Sequence, residues 1–376
     1  MTMRVSGAYR QVDACASRVN EQRGGKFRVG RNKIRIQTGS ALRAAALAAL
    51  LGLISAFAGP APSWAGIVQP DVLATRQAEL MGLRDADART ARIFWRIATR
   101  NEPLCENAVP AIGVLFHARS AYEGTYALAA QQLFGFAGEV AVEAVMPDGP
   151  ADRAGVRADD TLLQIDGRAL SDVTGPAAVA AADAAITAAG SDGSVRLTLS
   201  RDGKQRQVSI VPQPACPGRV EVTVSASRGA STDGNVIQVS TAMLNSVPDD
   251  SLLAAVIAHE YSHLILRHPD RLTAAHVDRG LLASFGKNRR LIRRTEKEAD
   301  ELSVYLLLNA GYSPMAAGTF WRTVGRKLDP GILSDGTHMG WRSRAELLDA
   351  EAAKAMASPQ APVIPPLVAT RDTPLD

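Results

Sequence analysis

The stretch that most constrains this chain is Val256-Ile257-Ala258-His259-Glu260-Tyr261-Ser262-His263-Leu264-Ile265-Leu266. Its apolar residues, and the N-cap signal Pro248-Asp249-Asp250-Ser251 before it, predict a helix buried in a core. A helical turn takes 3.6 residues, so His259 and His263 stand on one face, where both can hold a single zinc ion. Glu260 sits about 100° further round, able to reach a water at such an ion but not placed to bind the ion itself. With 6 His in 376 residues, a chance H-E-x-x-H is roughly a one-in-several-hundred event. Three ionisable groups on a buried helix also need compensation, which a metal ion provides.

Two histidines leave a catalytic zinc one protein ligand short. A second buried helix, predicted over 294–311 and closed by Gly311, offers Glu296, Glu298, Asp300 and Glu301. Glu296 and Asp300 share a face, whereas Glu298 points away from both. That pairing suits one metal ligand and one carboxylate that orients a histidine. The competing reading is an acidic first turn that merely complements the helix dipole.

The chain opens with a basic segment, Arg31–Arg43, an apolar run, Ala44–Ala58, and the small-x-small sequence Ser63-Trp64-Ala65. This pattern predicts a secretory leader over 1–65, cleaved near Ala65, with an uncleaved anchor as the alternative. The protein is then periplasmic or secreted, with peripheral membrane association open. The net charge of +4 resides in that leader, and the remainder is slightly acidic, so nothing argues for nucleic acid. Export leaves Cys105 and Cys216 as an even pair in an oxidising compartment, which predicts a disulfide.

Past the leader, 66–107 is helical at Val72–Arg100 and shows no chemistry of its own. Over 108–214 the texture changes to short strands and turns, followed from 219 to 357 by the mainly helical segment that carries the histidines. Residues 358–376, rich in Pro and Ala, read as a disordered tail. The fold class is α+β.

Within the middle segment, Val145-Met-Pro-Asp-Gly-Pro-Ala-Asp-Arg-Ala-Gly155 continues to Asp160-Thr-Leu-Leu-Gln-Ile-Asp-Gly167 and resembles the signature of bacterial protease PDZ domains. Asp159 stands where that signature usually has Gly. The resemblance implies that Leu133, Phe134, Gly135 and Phe136 form a carboxylate-binding loop, with the following strand accepting a peptide by β-augmentation. For the two phenylalanines, burial in the core is the competing reading.

The 219–357 segment resembles the gluzincin metallopeptidases, specifically family 48, which includes CAAX prenyl proteases and periplasmic quality-control proteases. The likeness rests on Ala258-His259-Glu260-Tyr-Ser-His263 through His268, on Arg293-Arg294-Thr-Glu296-Lys-Glu-Ala299-Asp300, and on Ala310-Gly311-Tyr312-Ser313-Pro314. It implies one zinc per chain held by His259, His263 and Glu296, with Glu260 as general base and Asp300 orienting His259. It further implies that His338 or Arg344 serves as donor to the developing oxyanion, although Met339 replaces the Pro common after that His. His117, His268 and His276 read as structural or solvated. The implied activity is hydrolysis of peptide bonds in unfolded or misassembled envelope proteins, the PDZ domain recruiting substrate or regulating access. The alternatives are a PDZ-based chaperone or adaptor with an idle zinc site, and a non-peptidase zinc hydrolase.

Overall fold

The structure, a computed structural model, describes residues 70–277, 286–328 and 339–375. The expected leader and His338 lie outside the described residues. The described residues from Asp71 onward belong to one compact unit. It opens with a single long helix, α1 (Pro70–Arg100), whose inner face buries Leu80, Ile93 and Ile97.

The β-rich part follows. Strands β1 (Val109–Ala111) and β2 (Val114–Ala118) lead to helix α2 (Thr125–Phe134) and strand β3 (Val140–Val145). After the short helix α3 (Pro150–Arg153) come β4 (Thr161–Ile165) and β5 (Arg168–Ala169), then helix α4 (Pro176–Gly190). The hairpin β6 (Val195–Arg201) and β7 (Lys204–Ile210) turns at Asp202-Gly203, both at positive φ, as a two-residue hairpin turn demands. The sheet order is β2-β3-β4-β6-β7, and β8 (Gln213–Ala215) pairs with β1. Leu162, Leu197 and Leu199 pack beneath α4 residues Val179 and Ile186.

A second core begins with β9 (Arg219–Thr223), β10 (Ala230–Thr232) and β11 (Val236–Ser240), in which β11 pairs parallel to β9 and antiparallel to β10. Helix α5 (Thr241–Ser246) leads to α6 (Asp250–Ile265), which carries the two histidines. Asp249 caps α6 by accepting from the Ser251 and Leu252 amides. Such a cap is worth about 1 kcal/mol. Helix α7 (His268–Ala274) follows, then α8 (Gly286–Asn309), α9 (Ala316–Thr323) and α10 (Trp341–Met356). The α8 helix begins eight residues earlier than the expected start at Arg294 and is closed by Gly311 at φ 72°.

The disulfide between Cys105 and Cys216 ties the chain just beyond α1 to the start of the second core, across a sequence separation of 111. The tail departs from its expected disorder. Val363 and Val368 join the main core, Leu375 packs near Leu272 and Leu291, and Asn309 bonds the Val363 main chain through both its amide groups. Sparse apolar residues in a Pro-rich segment give no periodic signal, yet each is seated by a partner distant in sequence.

Candidate metal centre

Helices α6 and α8 pack side by side and supply the site. Capping sets the start of α6, so His259 and His263 project from one face toward α8. Their Nε2 atoms lie 3.3 Å apart. Glu296 comes from the facing turn of α8, with Oε2 3.5 Å from His259 Nε2 and Oε1 3.4 Å from His263 Nε2. One ligand atom from each lies within 4.8 Å of the others. Two imidazole nitrogens facing each other at this separation repel through their lone pairs unless a proton or a cation lies between them. Two nitrogens and a carboxylate oxygen are also the donor set that suits zinc, so the residues fit the ion.

Asp300, one turn beyond Glu296, places Oδ1 3.0 Å from His259 Nδ1. The contact is of hydrogen-bond length. Burial alone would lower the His259 imidazole pKa; Asp300 and Glu296 outweigh burial and raise it to about 10. Burial dominates at His263 and lowers it to about 3. Burial opposes ionisation of Glu296 as well, but the histidines and Arg344 overcome it and hold that carboxylate well below its usual range. Glu260, on the next position of α6, lines the same cavity of about 640 Å³. Burial pushes its carboxyl up to about 7, with the Glu296 charge adding to the rise and the neighbouring cations opposing it.

Arg344 departs from the expected oxyanion role. Its Nε and Nη2 donate to the two carboxylate oxygens of Asp300 at 2.7 and 2.5 Å. Its guanidinium stacks 3.9 Å over the Trp321 ring, and only 4 % of its side chain is exposed. A donor committed in this way orients Asp300, and through Asp300 the His259 ring.

Residues 224–292 match the family model described as Peptidase family M48, and residues 141–201 match that of the PDZ domain. The two matches support a PDZ-containing metallopeptidase of family M48. No curated protein matches it.

The histidine that the sequence left among the structural ones, His268, belongs to the centre. Arg267 turns the chain in the left-handed region at φ 53°, which brings His268 Nδ1 to 3.0 Å from His263 Nδ1. On its other side, His268 Nε2 meets Glu298 Oε2 at 3.1 Å. Glu298 also accepts from Arg271 at 2.9 Å and Arg294 at 2.8 Å. It is not one of the group His259, His263 and Glu296, but it supports the second histidine through this relay. No local sequence pattern reveals that a left-handed residue folds the chain back here.

The expected PDZ loop and strand are taken up by the fold itself. Leu133 and Phe134 end helix α2, and Gly135 is its left-handed C-cap at φ 61°. Phe134 and Phe136 are buried against His117 and Tyr122, so they serve the core rather than a ligand. The strand that follows, β3, is interior: β2 pairs on one side and β4 on the other, while Arg84 Nε takes the Glu143 carbonyl at 2.9 Å. A peptide cannot add to a strand paired on both sides. The sheet's free edge beside α4 is β2, which precedes the matched residues.

Proposed function

We propose that this chain is an exported zinc endopeptidase that cleaves unfolded or misassembled polypeptides, with the β2 edge of its PDZ domain holding substrate. The observation that carries the reading is the convergence of His259, His263 and Glu296 on one point, with Glu260 beside it in an open cavity. A scaffold would need the three ligands only; a buried carboxylate one residue after the first histidine suits catalysis.

A zinc ion held there supplies Lewis-acid chemistry, polarising a peptide carbonyl and acidifying water. Glu260 takes the proton of the attacking water and delivers it to the leaving amine. The Arg344–Asp300 pair holds His259, and the Glu298–His268 relay holds His263, so neither ring must reorganise during the reaction. The Cys105–Cys216 bridge supports an oxidising compartment. The test is metal analysis of the purified chain beside casein cleavage with and without chelator. One zinc per chain and chelator-sensitive cleavage are expected, and cleavage that survives complete metal removal would overturn the reading.

A further inference from the structure

Between α1, the β2 edge, α4 and β9 lies a cavity of about 390 Å³, the size of a small-ligand pocket. Much of its wall is apolar, formed by Trp95 from α1, Ile112 just before β2, Leu115 on β2, Met146 after β3, and Ile186 from α4. Its charge is one-sided. Asp87 from α1, Glu143 from β3, Asp183 from α4 and Glu221 from β9 all line it, and among the described residues Arg219 is the one cation that does. Arg219 lies 3.8 Å from Asp183.

Asp87 and Glu143 are each 5 % exposed. Asp87 Oδ1 accepts from the Val222 amide at 3.3 Å, while its buried Oδ2 has no hydrogen-bond partner among the described residues. Nearby Arg84 gives its Nε to the Glu143 main chain and pairs with Asp159, leaving both carboxylates without a hydrogen-bonded cation. Burial, and then the Glu221 charge, pushes Asp87 up to about 7. Burial, and then Asp87, pushes Glu143 well above the carboxylate range. Leaving such groups unpaired is costly, so the cavity favours a guest that brings positive charge. Among the described residues, the one group of His, Cys, Asp and Glu spaced to hold a metal ion is the centre already described. The guest here is therefore an organic cation.

We propose that this cavity receives the lysine or arginine side chain of an extended polypeptide lying along β2, with Asp87 and Glu143 as counter-ions. The proposal rests on the reading that β2 holds polypeptide, and it specifies which. A free carboxyl end would face four carboxylates here, so an internal basic segment flanked by apolar residues fits better.

The test uses the full mature chain carrying Glu260→Gln, so that peptides bind without being cut. Fluorescence anisotropy compares a labelled Leu-rich peptide with one central arginine against the same peptide with glutamine. The arginine peptide should bind at least tenfold more tightly, and Asp87→Asn or Glu143→Gln should remove most of that difference. Amidating its carboxyl end should change nothing. Ala184→Trp, which crowds the α4 wall, should abolish binding of both peptides while thermal melting stays unchanged; retained binding would place the peptide elsewhere and overturn the proposal. Equal binding of both peptides, dependent on a free carboxyl end, would leave the β2 reading standing and defeat the basic-side-chain proposal. No binding of either peptide would defeat both.

Discussion

Arg344 and Asp300, 44 residues apart, form a two-pronged ion pair in which both carboxylate oxygens accept from the guanidinium. The pair is buried on both sides, and it stands between the α10 helix and the His259 ring. Breaking a buried pair by removing one partner costs about 3–5 kcal/mol, because it strands the other charge. Arg344→Ala is therefore expected to lower the melting temperature and to weaken zinc about 10–100-fold through the released Asp300. A competition titration with a zinc chelator dye checks this; unchanged affinity would separate Arg344 from the metal centre.

Glu296→Ala should abolish stoichiometric zinc binding, since two histidines remain. Glu298→Ala and His268→Ala should keep zinc but bind it roughly tenfold more weakly, because His263 loses its support. Equal zinc content and affinity in all three variants would refute this ranking.

Glu260→Gln should retain zinc and lose roughly 10²–10⁴-fold in peptide hydrolysis, as removal of a general base does. Single-turnover cleavage of a fluorogenic peptide, read beside metal analysis, separates the two effects. Near-normal turnover would exclude Glu260 as the base.

Asp87 sets a pH dependence of stability. Its folded carboxyl is raised to about 7 from an ordinary 3.8, so the folded state holds a proton that the unfolded state has lost. The stabilisation is present below the unfolded value and disappears as pH rises through about 7. Chemical denaturation should show stability falling between those limits, and Asp87→Asn should flatten the fall and gain about 1–3 kcal/mol near pH 8. A decline unchanged in the variant would assign it to other groups.

Reduction of the Cys105–Cys216 bridge releases a loop spanning 111 positions, for which chain entropy gives about 4–5 kcal/mol, though measured losses are often smaller. Denaturant midpoints with and without reductant check this. Coincident midpoints would show that the bridge adds nothing to stability.

The H-E-x-x-H helix was legible from sequence because its geometry is local. Four residues make about one turn wherever the helix lies, and Asp249 caps it whatever packs against it. The same spacing rule marked Glu296 and Asp300 as sharing a face of α8, and Gly311 marked where that helix closes. What the sequence could not decide is which of these surfaces meet. Arg344 reaches Asp300 only because α10 packs against α8, and His268 reaches His263 only because Arg267 takes a left-handed turn. The expected peptide strand β3 became interior because β2 pairs beside it, and strand order is set by contacts between distant segments. The tail is ordered for the same reason: Val363 and Val368 find apolar seats on elements far away in the chain. The acidic cavity joins residues from 87 to 221, whose proximity exists only once α1, the PDZ sheet and β9 have closed around it.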